Sequence, residues 1–364
     1  MKAFNALIKP ASSLCNMRCA YCFYTDVAEQ RSIPSYGIMN ESTARTIIDR
    51  IFEYIRSKPD YVVIFAFQGG EPTLSGIDFF RFFIDYVNSR KGEINCTYSL
   101  QTNGLLIDAD WCKLFHNNNF LIGLSYDGMN DLHDMHRVDA FGKGTSRKLN
   151  EVMRLFNEYN VQYNILSVIT KETTRRAKEL YKSYKRNGLN HIQLIPCLKP
   201  LNAQKCGKYD LDPKQYAEFM KTLYSLWLED KRKGNSINIR HFDNIEMLLN
   251  GQTPEQCGMH GSCTPQFVVE ADGSVFPCDF YVLDEYKCGS VQENTINEIS
   301  HSCGMKAFLN MEAPISPMCE KCEVHCLCHG GCKRYRSFYN ETDSFCPNKE
   351  LFLHVEICNQ NQYY

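Results

Sequence analysis

Cysteine constrains this chain more than any other residue. There are 19 in 364 residues, and they are gathered rather than scattered: Cys15, Cys19 and Cys22 share one short segment, and a second field runs from Cys257 to Cys346. An odd number cannot all pair within one chain, and a chain of this length buries enough core to stand without cross-links. The first ten residues, Met-Lys-Ala-Phe-Asn-Ala-Leu-Ile-Lys-Pro, contain no export signal, and the longest strongly apolar run, 61–67, is far too short to span a bilayer. The expectation is a cytoplasmic chain whose reduced thiols bind metal. Composition adds exclusions. Lys plus Arg is 40 and Asp plus Glu is 42, so no net field draws the chain to nucleic acid or to a membrane surface. At 44% hydrophobic and 23% charged, it is neither disordered nor a coiled coil.

The first 200 residues alternate between two periods. Extended apolar runs at 3–9, 62–67, 97–101, 120–125, 163–169 and 191–195 mostly end in Gly, Asn or Asp. Helical patterns lie between them. Ile47, Ile51 and Ile55 recur beside Ile48 and Phe52 behind Asn40 as N-cap, and further helices fit 76–90, 108–118, 146–159 and 171–186. Such alternation predicts an α/β fold with parallel strands covered by helices, and six units suit an open or partial barrel. Lys171 to Arg186 carries seven basic residues, read as a solvated outer face. After about residue 200 one more amphipathic helix is marked by Tyr216, Phe219, Met220, Leu223 and Trp227. Beyond it, a hairpin around Asp272-Gly273 is followed by what read as short loops that need bound metal to hold their shape. The expected domains are 1–235, the α/β part, and 236–364, a small cysteine-rich part.

In parallel α/β folds ligands gather at the carboxyl ends of the strands. The loops there are distinctive: the cysteine triplet, Gln68-Gly69-Gly70-Glu71-Pro72, Thr102-Asn103-Gly104 and Ser125-Tyr126-Asp127-Gly128. The triplet has the spacing C-x3-C-x2-C. Three thiolates can hold three corners of a cubane iron–sulfur cluster and leave one iron open, whereas full ligation takes four cysteines. A zinc knuckle with a distant fourth ligand is the other reading of the spacing.

With an aromatic before the third cysteine and the Gly-Gly-Glu-Pro loop after the second strand, the chain resembles the radical S-adenosylmethionine enzymes. The resemblance implies a partial (β/α)6 barrel. It also implies a [4Fe-4S] cluster on Cys15, Cys19 and Cys22 whose open iron chelates S-adenosylmethionine, and reductive cleavage to a hydrogen-abstracting 5′-deoxyadenosyl radical. Carried over residue by residue, Tyr21, Gly70, Ser125, Arg137 and Leu198 would contact S-adenosylmethionine, with Gln68 and Glu71 beside it. The second cysteine field resembles the SPASM extension of these enzymes. By that resemblance Cys257, Cys263, Cys278 and Cys332 hold one auxiliary [4Fe-4S] cluster, and Cys319, Cys322, Cys328 and Cys346 hold another. Residue types and spacing by themselves also allow two structural zincs there, and Cys326 competes with Cys328 as a ligand. The other thiols, Cys96, Cys112, Cys197, Cys206, Cys288, Cys303 and Cys358, read mostly as small buried hydrophobes.

Within that group the chain is similar to the anaerobic sulfatase-maturing enzymes over nearly its whole length. The matching stretches include Leu7-Ile-Lys-Pro-Ala-Ser-Ser13, Phe65-Ala-Phe-Gln-Gly-Gly-Glu-Pro-Thr73, Ser99-Leu-Gln-Thr-Asn-Gly104 and Asp272-Gly-Ser-Val-Phe-Pro-Cys-Asp-Phe-Tyr-Val-Leu-Asp284. Such enzymes oxidise one Cys or Ser of a sulfatase polypeptide to Cα-formylglycine, and the resemblance makes Asp279 the proton acceptor. A folded sulfatase would hide the target side chain, so the expectation is action on unfolded or nascent sulfatase chains in the cytoplasm, by a monomer served by a flavodoxin- or ferredoxin-type electron donor. Two other readings stand beside this one. A SPASM peptide maturase would form crosslinks in a precursor peptide, although the first core strand begins near residue 3 and leaves no room upstream for a recognition domain. A zinc-binding adaptor would be colourless and free of iron.

Overall fold

The computed structural model describes residues 2–201, 209, 211–312, 315–339 and 344–360; Cys206 lies outside them. Strands and helices alternate through the first two-thirds of the chain: β1 (Lys2–Ile8), α1 (Glu41–Ile55), β2 (Tyr61–Phe67), α2 (Ile77–Arg90), β3 (Cys96–Thr102), α3 (Ala109–Asn117), β4 (Leu121–Ser125), α4 (Ser146–Glu158), β5 (Gln162–Ile169), α5 (Ala177–Arg186), β6 (His191–Pro196) and α6 (Pro213–Arg232). A short hairpin, β7 (Phe267–Val269) and β8 (Ser274–Phe276), and a terminal helix, α7 (Pro347–Gln360), follow. No helix among the described residues is long and apolar enough to cross a membrane.

The chain forms two compact units, one of residues 1–125, 134–163 and 265–311 and the other of 126–133, 164–264 and 312–364. In the first, β1 and β2 pair in parallel from Lys2↔Tyr61 to Ile8↔Phe67, β3 continues at Val63↔Cys96, and β4 at Ser99↔Leu121. β-Branched and aromatic residues favour the pleated strand. Phe65 and Phe67 of β2 bury against Phe80 and Phe83 of α2 and Tyr98 and Phe120 around β3, with ring centroids 5.0–6.3 Å apart. Each fully buried ring contributes about 2–3 kcal/mol. α1 starts where Asn40 Oδ1 accepts the Thr43 N–H at 2.8 Å and lays Ile47, Ile48, Ile51 and Ile55 on the core.

The hairpin of the cysteine-rich region adds to this sheet. β7 pairs in parallel with β1 at Ala6↔Phe267, Leu7↔Val268 and Ile8↔Val269, and β8 returns antiparallel at Val269↔Val275. It therefore sets the residues after β8 beside the loop after β1.

The second unit holds β5 and β6, parallel at Ile165↔Ile192. It packs α7 on α6 through Arg232, which donates to the Cys358 carbonyl at 3.0 Å, and through a 2.8 Å bond between Ser225 Oγ and His354 Nε2. Two expectations are corrected. The helix expected over 171–186 is a turn, Lys171–Thr174, followed by α5. Thr170 and Thr173 form a capping box, the Thr174 hydroxyl bonds back to the Lys171 carbonyl at 2.8 Å, and Arg176 leaves helical geometry at φ −127°. The region beyond α6 is also not all short loops, because Arg240–Leu249 and α7 are helices.

Candidate active site and cluster ligands

At the end of β1 the backbone turns sharply. Ser12 takes a left-handed φ of 49°, and its carbonyl accepts the Gly70 N–H at 2.8 Å. The Glu71 N–H reaches the Leu14 carbonyl at the same distance. The glycine loop thus lies directly on the segment that leads into the cysteine triplet. A Cβ on Gly70 would stand 2.1 Å from the Leu14 carbonyl oxygen, so only glycine fits.

The triplet is fixed from its other side by pairing of Met17–Cys19 with Arg137–Asp139, with Cys19 opposite Arg137. Arg137 is buried, with its guanidinium 5.3 Å from the centre of the Tyr21 ring, which packs 5.4 Å from His136. Tyr21, Gly70 and Arg137 therefore cluster around the triplet. Ser125 ends β4 in the same unit, and Leu198 follows β6 in the second unit. Burial pushes the Cys15 thiol up, while the Met17 N–H, 3.4 Å from its sulfur, and Asn103 oppose the rise.

Glu71 is 1% exposed, and its oxygens accept from Thr73 N (3.1 Å), Thr73 Oγ1 (2.6 Å), Thr102 Oγ1 (2.8 Å) and Asn103 N (2.7 Å). Burial raises it above the ordinary carboxylate range, and those donors oppose the rise. In this structure its carboxylate is a brace that ties the loop after β2 to the loop after β3.

A second focus follows β8. Asp279, 7% exposed, accepts from Tyr24 Oη and Gln68 Nε2 through Oδ2, each at 2.6 Å. Gln68 also donates to Tyr24 Oη at 3.0 Å. Lys9 Nζ lies 2.9 Å from Asp279 Oδ1 and 3.9 Å from Glu270 Oε1, and Arg31 clasps that same Glu270 oxygen at 2.7 Å. Burial first, and Asp279 next, hold the Tyr24 hydroxyl well above its ordinary value, so it serves as a donor. Four charges alternate in sign through this buried row. Ionic rows of this kind do little for stability and are costly to break, so a role for Asp279 accounts for their presence better than folding does. Lys9, Tyr24, Arg31 and Glu270 were absent from the sequence-based site. Lone charges and a lone aromatic carry no local signature of burial.

In the second unit, Cys319, Cys322, Cys328 and Cys346 line one pocket together with Met318 and Lys349. Burial, followed by the neighbouring Cys346, Cys322 and Cys319, pushes the Cys328 thiol up to about 11. Metal binding would displace that proton. Four sulfurs around one cavity fit a cubane, whose irons are held by four thiolates. Cys326, by contrast, is exposed, with its sulfur 3.8 Å from the Glu323 carbonyl. Cys332 feels the charges of Cys263 and Cys257, and a Cβ on Gly258 would stand 3.1 Å from the Cys332 Cβ. These three sulfurs are thus gathered as well. Cys278 lies in the first unit, next to Asp279.

Comparison with known proteins agrees with this chemistry. The radical SAM superfamily matches residues 10–200, and the iron–sulfur cluster-binding SPASM domain matches 261–323. A cysteine-type anaerobic sulfatase-maturating enzyme of Clostridium novyi (strain NT) is 43% identical over 98% of this chain and 96% of its own. A serine-type enzyme of Bacteroides thetaiotaomicron is 27% identical over 92% of this chain and 84% of its own. The solved structure described as native anSMEcpe with bound AdoMet superposes with a TM-score of 0.89 at 39% identity, covering 98% of both chains. SuiB of Streptococcus suis, at 15% identity and a TM-score of 0.63, shares the fold. The chain belongs to the anaerobic sulfatase-maturating enzymes, radical S-adenosylmethionine oxidoreductases that carry a SPASM iron–sulfur region.

Proposed function

We propose that this enzyme oxidises a cysteine side chain in a sulfatase polypeptide to Cα-formylglycine, with Asp279 as the proton acceptor. The observation that carries the reading is the buried row Lys9–Asp279–Gln68–Tyr24, which fixes a carboxylate immediately after Cys278. Cysteine is favoured over serine because the relatives 41–43% identical are cysteine-type, whereas the serine-type ones are 27–29% identical.

The residues divide the work as follows. Cys15, Cys19 and Cys22 would hold the first cluster, with Tyr21, Gly70, Ser125, Arg137 and Leu198 holding S-adenosylmethionine and Gln68 and Glu71 close by. Cys257, Cys263, Cys278 and Cys332, and Cys319, Cys322, Cys328 and Cys346, would hold the two auxiliary clusters. When bound, these groups supply a hydrogen-abstracting adenosyl radical and a sink for one electron. The target loses a hydrogen atom from Cβ, its thiol proton goes to Asp279, and one further electron leaves. Carbon–sulfur double-bond formation balances the loss, and hydrolysis gives the aldehyde and hydrogen sulfide. A base must come within about 3 Å of the proton it takes. Tyr24 and Gln68 hold one oxygen of Asp279, and Lys9 holds the other, so the carboxylate cannot swing away. With Asp279 only 7% exposed, an extended segment reaches it more readily than a folded surface does, which supports action on unfolded or nascent chains.

The domain limits 1–235 and 236–364, a cytoplasmic monomer and a small flavodoxin- or ferredoxin-type one-electron donor complete the proposal. Anaerobic incubation with dithionite, S-adenosylmethionine and matched Cys- and Ser-containing sulfatase peptides, read by mass spectrometry, tests it. The expected result is loss of the Cys mass in favour of the aldehyde, faster than for Ser. Cleavage of S-adenosylmethionine with both peptides unchanged would refute the substrate assignment.

A further inference from the structure

The Thr102-Asn103-Gly104 turn has no part in the reaction described so far, yet its asparagine sits against a cluster ligand. Asn103 is 7% exposed. Its backbone N–H is bound by Glu71 Oε2 at 2.7 Å, which fixes the start of the turn. Its side-chain oxygen accepts the Leu105 N–H at 3.0 Å, and its Nδ2 donates to Asn16 Oδ1 at 2.7 Å. Both contacts require the same orientation of the amide, with the NH2 facing the triplet. In that orientation Nδ2 stands 3.7 Å from Cys15 Sγ, and Met17 N stands 3.4 Å from the same sulfur.

We infer that Asn103 sets the reduction potential of the first cluster by donating an N–H to the Cys15 sulfur. The inference rests on the assignment of that cluster to Cys15, Cys19 and Cys22. The physics is electrostatic. Reduction adds a negative charge that spreads onto the thiolates, and a donor aimed at one of them stabilises the reduced state more than the oxidised one. Hydrogen bonds to the sulfurs are one of the levers by which a protein moves such potentials. The amide is well placed for this because it is buried, where such contacts are stronger than in water. It is also held at three points, so no reorganisation is needed when the charge arrives. Glu71 acts through Asn103 as a positioning residue.

The test is an EPR-monitored redox titration of the anaerobically reconstituted holoenzyme without peptide. The first cluster is identified as the signal that changes when S-adenosylmethionine is added. Asn103→Leu removes the donor. Asn103→Asp removes it too, keeps the acceptor for the Leu105 N–H, and adds a negative charge. The expected result is a lower potential in both variants, more so in Asn103→Asp. At the poise that half-reduces the wild type, the ratio of reduced to oxidised cluster in the Leu variant should be about threefold lower, which is about 28 mV at 59 mV per decade. An exchangeable proton coupled to the reduced cluster, seen by ENDOR on passing from H2O to D2O, should be lost in Asn103→Leu. Wild-type potentials in variants with full iron content would overturn the inference, as would failure of both variants to assemble the cluster, which would make Asn103 a folding residue only. A wild type with no signal responsive to S-adenosylmethionine would instead bring down the cluster assignment itself.

Discussion

Replacing Lys9 by Met removes one cation from a row that is neutral as built. Lys9 and Arg31 face Glu270 and Asp279, with side-chain exposures of 3%, 2%, 1% and 10%. The Met side chain fills nearly the same volume, so the perturbation is one of charge. Two carboxylates then share one guanidinium, with water too scarce to screen them. Glu270 Oε2 and Arg31 Nε already have no hydrogen-bond partner among the described residues, so the row has no spare contacts to draw on. Breaking a buried ion pair by removing one partner costs about 3–5 kcal/mol, a large share of the ~5–15 kcal/mol that holds a folded protein. In anaerobic urea unfolding of the holoenzyme followed by circular dichroism, with a slope of about 3 kcal/mol/M, the midpoint should fall by about 1–1.7 M. Adding Glu270→Gln restores neutrality, with Arg31 balancing Asp279, and should return about 1–2 kcal/mol; neighbouring charges couple by this much in double-mutant cycles. Aldehyde formation should fall further than S-adenosylmethionine cleavage, because Asp279 has lost the group that holds Oδ1. A Lys9→Met enzyme within about 0.5 kcal/mol of the wild type, the scatter expected of a surface substitution, would mean that the row is solvated and the reasoning wrong.

Asp279→Asn should leave S-adenosylmethionine cleavage intact and abolish aldehyde formation, and normal product yield would remove Asp279 as the base. Gly70→Ala places a methyl 2.1 Å from the Leu14 carbonyl; the loop must then shift, and iron content and S-adenosylmethionine binding should both drop, measured by metal analysis and equilibrium dialysis. Cys328→Ala should cost about four irons per chain, the content of one cubane, whereas Cys326→Ala should cost none; the reverse result would exchange their roles. Burial lowers His241 to about 4, with a Gln256 hydrogen bond opposing the shift, while an unfolded imidazole titrates near ~6.5. In the window between them the unfolded chain takes a proton that the folded chain refuses. Stability should therefore be full above about pH 6.5 and fall by about 2 kcal/mol on reaching pH 5. His241→Phe should flatten that part of the urea-midpoint profile, and an unchanged slope would show that His241 does not cause it.

Much of the fold is legible in the residues because its signals are local. A parallel strand covered on both faces reads as an unbroken apolar run, so β2, Tyr-Val-Val-Ile-Phe-Ala-Phe, announces itself. Asn40 ahead of the isoleucine series marks the start of α1, and the observed Thr43 contact is the reason. The cysteine spacing and the glycine loop are likewise short-range patterns, and the structure lays those two segments against each other. Long-range relations carry no such signal. Nothing in Gln266 to Glu270 says that its hairpin continues the sheet of β1. Lys9 and Glu270 therefore read as unrelated charges, although the sheet makes them neighbours. Gln68 and Asp279 were singled out for separate reasons, and their 2.6 Å contact is a product of that same pairing. The missed helix α7 did leave a trace, since Leu351, Phe352 and Val355 recur at helical spacing and are buried. Cys346, directly ahead of it and matched to a cluster ligand, drew the reading toward metal loops instead.

The parallel pairing of β1 with β7 also bears on synthesis. Ala6 waits for Phe267 before its strand has a neighbour on that side, so one rim of the growing sheet emerges from the ribosome bare and stays bare until late in translation. Unpaired rims invite other strands, and contacts so distant along the chain form slowly. A polypeptide halted before residue 267 should thus be sticky and short-lived, however complete its α/β portion looks on paper, and release of the full-length chain becomes the moment at which the N-terminal half is sealed.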